Sequence, residues 1–120
     1  MFSATVKVNN INIQLLHPAG AGSVYGRSYK LQRVIEQMPG DKKPNILLMG
    51  HYHSVAVLPQ YRNVYGIQLP CLQTQTLFEK TKGLNPDIGV MILDIIPDAK
   101  GVFSFKVEYL PFFNTVDGDY

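Results

Sequence analysis

Gly50-His51-Tyr52-His53 holds the residues best suited to chemistry in this chain. Two histidines at i and i+2, just past the apolar run Ile46 to Met49, can reach one site if the backbone turns there. Gly50 is the residue expected to allow that turn, because glycine tolerates backbone angles that other residues avoid. Neutral imidazole is the commonest protein ligand for zinc-like metals. The chain has three histidines in all, and His17 also ends an apolar run, Ile11 to Leu16. All three are expected at strand ends, where α/β folds place their sites. A strand-end histidine is ordinarily a partly buried residue satisfied by a backbone hydrogen bond. Convergence of several imidazoles is what a metal site requires beyond that. No carboxylate lies beside any of them in sequence, so local spacing shows no dinuclear site.

The elements around these residues follow from periodicity. Phe2 to Val8 alternates as a strand, Asn9-Asn10 gives a turn, and Ile11 to Leu16 completes an antiparallel hairpin. Arg27 to Met38 places Leu31, Val34, Ile35 and Met38 on one helical face, with Ser23 or Ser28 as a cap and Pro39-Gly40 as a stop. Asn45 to Met49 is short and continuously apolar, the pattern of a buried central strand. Ser54 to Leu58 and Arg62 to Leu69 are expected to be strands joined at Pro59-Gln60-Tyr61. Leu72 to Lys82 is a short helix or a loop. Asp87 to Ile96 and Gly101 to Tyr109 form a second hairpin joined by Pro97 to Gly101. Residues 110–120 are expected to be a tail. The sum is an α/β (α+β-like), β-rich single domain over residues 1–120, with about seven strands and one or two helices.

Composition narrows the function classes. Apolar residues make up 46% of the chain, charged residues 17%, and the net charge is +2. That charge is too small to imply nucleic-acid or membrane-surface binding in bulk. No apolar stretch is long enough to span a bilayer, and no signal peptide is evident. The single cysteine, Cys71, forms no internal disulfide framework and fits a reducing cytoplasm. It is expected to be a small buried residue rather than a nucleophile.

Leu15-Leu16-His17-Pro18 followed by Gly50-His51-Tyr52-His53 resembles the calcineurin-like metallophosphoesterase superfamily, specifically its C-terminal half. The interval from His17 to His51 suits one helix, one strand and their loops. Lys43-Pro44-Asn45-Ile46-Leu47-Leu48-Met49-Gly50-His51 looks like the family's approach to its second histidine motif, and Arg62-Asn63-Val64 opens the strand that follows. The resemblance runs from about Ile11 to Ile96. It implies part of a two-sheet sandwich flanked by helices, with His17 and His51 on one divalent metal (manganese, iron or zinc) and His53 on the other. It also implies hydrolysis of a phosphoester, as a phosphoesterase, phosphodiesterase or nuclease.

The family's N-terminal motifs are absent: Asp-x-His, Gly-Asp with its bridging aspartate, and Gly-Asn-His-Asp/Glu. Gly40-Asp41 and Gly118-Asp119 occur without the rest of a motif, and Asp94 has no histidine two residues on. The chain is therefore expected to hold half a site and to be weak or inactive alone. The alternatives are a non-catalytic accessory module with a degenerate site, and a mononuclear three-histidine metal enzyme. The expected partners are a phosphoester substrate, with nucleic acid and nucleotides in that class, and a missing N-terminal half or a second copy covering exposed apolar faces.

Lesser candidates surround the motif. Pro18 to Ser23 has the small residues of an anion cradle, or is an ordinary flexible loop. Arg27 is a phosphate contact or a solvated helix-start residue. Tyr52 is expected to point away from its neighbours and pack. Gln73 to Thr76 lines a cleft or simply connects. Tyr61, Arg62 and Tyr65 could stack on a base, though tyrosines in strands need no such role.

Overall fold

The computed structural model describes residues 2–18, 26–73, 76–81 and 86–112. In chain order it contains β1 (Phe2–Val8), β2 (Ile11–His17), α1 (Tyr29–Glu36), a 3-10 turn (Gly40–Lys42), β3 (Ile46–Met49), β4 (Ala56–Tyr61), β5 (Val64–Gln68), α2 (Leu77–Thr81), β6 (Gly89–Asp98) and β7 (Gly101–Pro111). Five strands form one sheet in the order β1-β2-β3-β5-β4, and β6 and β7 form a second. This is the β-rich α/β architecture expected from the periodicity.

The central strands β2, β3 and β5 run parallel, and β1 and β4 close the two edges antiparallel. Parallel pairing needs a crossover. Between β2 and β3 this is α1; between β3 and β5 it is β4. The carboxyl ends of β2 and β3 thus meet at His17 and Gly50.

The helix forms where its apolar period lies. Leu31 and Ile35 are fully buried, and Val34 and Met38 pack against the same cluster as Leu16, Leu47, Met49 and Val64. Burial of each such side chain contributes about 1.5–3 kcal/mol before conformational entropy is subtracted. The helix reaches the sheet closely because β5 offers a glycine. A Cβ on Gly66 would stand 2.9 Å from Ile35 Cδ1 and 3.3 Å from two Leu31 methyls. Ser28 occupies the N-cap position without a side-chain capping bond. Its Oγ instead accepts a hydrogen bond from Gln32 Nε2 at 3.1 Å.

The second hairpin covers part of the opposite face. Ile46 pairs with Tyr65, and Tyr65 stacks on Phe105 of β7 with ring centroids 4.4 Å apart. Asn10 Nδ2 donates to the Asp98 carbonyl at 2.7 Å, tying the two hairpin turns together. Ile11, Ile46 and Ile67 are buried beneath this layer.

Two turns fall elsewhere than expected. The β4–β5 connection is Arg62-Asn63, both at positive φ (48° and 67°), and not Pro59 to Tyr61. Pro59 lies inside β4, where an edge strand tolerates a missing N–H, and the pairing shifts between Leu58 and Tyr61. Likewise β6 continues through Pro97 with a shift in register, leaving Ala99-Lys100 as a two-residue turn. The Asp98 carboxylate accepts the Lys100 N–H at 2.7 Å, an Asx-type turn that shortens the loop. The helix is also shorter than Arg27 to Met38. β7 takes in Leu110 and Pro111, and residues 113–120 lie outside the described residues.

Candidate metal centre

The parallel register between β2 and β3 builds the site. Leu16 pairs with Met49, and the Gly50 N–H donates to the Leu16 carbonyl at 3.0 Å, carrying the ladder one step past the strand. His51 then stands beside His17, with ring centroids 4.9 Å apart and planes at 61°. His17 is exposed and His51 half-buried. The two histidines that are far apart in sequence are neighbours in space.

The loop from residue 50 to 55 does not bend at its glycine. Gly50 is not among the residues at positive φ, and open space surrounds its Cβ position. Positive φ falls on His51 (79°) and His53 (57°) instead. A non-glycine residue there is uncommon and costs about 1–3 kcal/mol, and such strain clusters at functional sites. Two such residues on alternate positions set the loop's course.

Two residues far along the chain hold this loop. Gln68, at the end of β5, is 1% exposed. Its Nε2 donates to the Ser54 carbonyl at 3.0 Å and to Ser54 Oγ at 2.5 Å. Its Oε1 has no hydrogen-bond partner among the described residues. Asp87 grips the loop from the other side. Its N–H donates to the His53 carbonyl at 2.7 Å, its Oδ2 accepts the Val55 N–H at 2.6 Å, and the same oxygen pairs with Arg27. Neither Gln68 nor Asp87 carried a local signal. Arg27 is exposed just ahead of the helix, as a solvated helix-start residue would be, and its guanidinium is the salt-bridge partner of Asp87.

Tyr52 packs toward the α1 side of the sheet, against the core cluster, with its ring edge-on to His51 at 5.1 Å. Burial raises its pKa above the usual phenol value. Tyr61 donates to Glu36 Oε2 at 2.5 Å, and that hydrogen bond, ahead of partial burial, raises its pKa. With Tyr65 stacked on Phe105, the tyrosines singled out for base stacking serve packing. Cys71 is half-buried, its thiol donating to the Gln73 carbonyl at 3.3 Å. Most of the proposed anion cradle, residues 19–23, and Thr74 and Gln75 lie outside the described residues.

A cavity of about 420 Å³ opens beside the histidines on the sheet face away from α1, lined by Phe2, Ala4, Leu15, Leu48 and Leu69 together with His17 and Gly50. Its apolar lining and the exposure of Phe2 (79%) and Leu15 (39%) mark a face that the second hairpin leaves open.

The donor set suits imidazole-binding metals but is incomplete. His17 and His51 supply two neighbouring imidazole rings, whereas tetrahedral zinc takes four ligands. Among the described residues no group of three or more His, Cys, Asp or Glu is gathered to hold an ion. Asp87, the nearest carboxylate in role, is engaged by Arg27 and Val55. No described helix is long and apolar enough to cross a membrane.

No family model matches this sequence, and no curated protein matches it. Solved structures do. Wild-type Vps29 from Entamoeba histolytica, crystallised with Zn2+, aligns with a TM-score of 0.53 at 18% identity, covering 91% of this chain and 59% of that one. A single mutant of the same protein aligns with a TM-score of 0.51 at 17% identity, covering 92% and 61%. The present chain thus spans about 59–61% of the length of these neighbours. At this identity the likeness is one of fold: the chain shares a mixed α/β two-sheet fold with about three fifths of those proteins.

Proposed function

We propose that this chain supplies the histidine half of a metal-dependent phosphoesterase site and is weak or inactive by itself. The observation that carries this reading is the adjacency of His17 and His51 at the ends of two parallel strands. His17 and His51 would hold one divalent ion, and His53, on the same strained loop, would serve a second. The remaining ligands, carboxylates above all, would come from polypeptide outside this chain. The open apolar face beside the histidines is where such a segment would pack. Bound there, the metals would activate a water and stabilise charge developing on phosphorus. Zinc, iron and manganese all suit a mixed imidazole–carboxylate set. The substrate is a phosphoester, with nucleotides and nucleic acids in the class, and the lone free cysteine fits a cytoplasmic setting.

A second reading is a non-catalytic accessory module on the same scaffold. The absence of a three-ligand cluster among the described residues favours it. An assay of a generic aryl phosphodiester with manganese or zinc separates the cases when the chain is mixed with a separately expressed segment bearing the Asp-x-His and Gly-Asn-His motifs. Turnover that needs both parts and disappears with His51→Ala supports the half-site. A complex that forms but never turns over, with or without metal, supports the accessory module.

A further inference from the structure

The two edges of the five-stranded sheet are built differently. β4 carries Pro59 and a break in pairing between Leu58 and Tyr61, with Gln60 at φ 53°. These features block addition of another strand. β1 has none of them. It pairs regularly with β2 through all seven residues, contains no proline, and every residue is exposed. Phe2 (79%), Val6 (45%) and Val8 (47%) alternate on one face, and Lys7 is its only charge.

We propose that β1 is a self-association edge, through which two copies of this chain pair antiparallel about a two-fold axis at Thr5. The register follows from the side chains. Directly opposed residues of an antiparallel pair share a face, so only registers that set even positions against even ones match apolar to apolar. Among these, the register centred on Thr5 engages the whole strand. Phe2 stands opposite the partner's Val8, Ala4 opposite the partner's Val6, and Ser3 opposite the partner's Lys7. Thr5 meets its own copy. The two Lys7 ammonium groups are kept apart, so no like charges oppose each other. A two-fold contact of this kind uses up both unguarded edges and closes, leaving the guarded β4 edges outermost. Two five-stranded sheets become one of ten. Phe2 pairs with His17 within each copy, so the seam starts beside each histidine site and the two sites lie at its opposite ends. The inference is independent of whether a metal binds.

Sedimentation velocity on the full chain tests it. The mass is expected to rise with concentration from 13.5 kDa to twice that value. Thr5→Lys, which sets two ammonium groups face to face on the axis, is expected to restore the monomer without changing the circular dichroism. In a Cys71→Ser background, Thr5→Cys is expected to cross-link to its own copy on mild oxidation and Lys7→Cys is not. This second arm holds even if Thr5→Lys fails to fold. A monomer up to about 1 mM would mean weaker than millimolar association and overturn the proposal. A dimer in which Lys7→Cys cross-links as readily as Thr5→Cys would overturn it equally.

Discussion

His17 and His51 stand with their rings 4.9 Å apart although 33 residues lie between them. The contact results from strand register. Leu16 faces Met49 across a parallel ladder, and one more hydrogen bond, from the Gly50 N–H to the Leu16 carbonyl, delivers the next residue to the neighbouring strand end. Any change that slips β3 against β2 separates the pair.

The strained backbone at the histidine loop has a stability signature. His53 sits at φ 57°, a conformation that a β-branched side chain resists most. His53→Val is expected to be less stable than His53→Gly by about 1 kcal/mol or more. Urea unfolding of the two variants side by side gives the difference.

Asp87 fastens the loop at several points, so its loss should be felt. Asp87→Ala removes the acceptor of the Val55 N–H and the partner of Arg27, and is expected to cost about 1–3 kcal/mol. Arg27 is half exposed, and Arg27→Ala is expected to cost under about 1 kcal/mol, with that cost shrinking at high salt. Equal costs for the two variants would mean the ion pair, rather than the grip on the backbone, is what Asp87 contributes.

Gly66 sets the distance between α1 and the sheet. Gly66→Ala brings a methyl against Ile35 and Leu31 and is expected to destabilise by about 1–3 kcal/mol through overpacking. Adding Ile35→Val, which removes the nearest methyl, should recover part of that loss. Thermal melts of the single and double variants measure the recovery.

Alkaline pH should weaken the fold. Burial raises the Tyr52 pKa, and the hydrogen bond to Glu36 raises that of Tyr61. An unfolded tyrosine titrates near about 10. Groups raised in the folded state contribute their stability fully below that value and lose it as pH climbs through the folded pKa. Stability is therefore expected to fall above about pH 10, and Tyr52→Phe should flatten the decline. Denaturant midpoints at several alkaline pH values give the slope.

Much of this fold is legible in the sequence because its signals are local. Leu31, Val34, Ile35 and Met38 mark the helix face by their spacing. Asn9-Asn10 marks the first hairpin turn, and Asn9 does take a positive φ of 53°. Ile46 to Met49 declares a buried strand by having no polar face. Pro59 misleads, since proline punctuates most chains but is permitted within an edge strand. The true turn places Arg62 at positive φ, which no composition rule announces. Gly50 misleads in the same way, because the unusual angles fall on the histidines beside it.

Of the candidate site, the sequence shows only the histidines. His17 and the Gly-His-x-His run stand out by residue type. Asp87 and Gln68 do not: they act on Val55 and Ser54 across 32 and 14 residues, and nothing near either one in sequence points to the loop. The coupling is tertiary, and it depends on where β5 ends and β6 begins.

Zinc titration into the purified chain by calorimetry, with His17→Ala, His51→Ala and His53→Ala alongside, tests the central claim most directly. The account expects one ion whose binding is lost alike with His17 or His51 and kept with His53→Ala. Binding that is absent from the unmodified chain, or that survives both His17→Ala and His51→Ala, would contradict a metal half-site at the ends of β2 and β3.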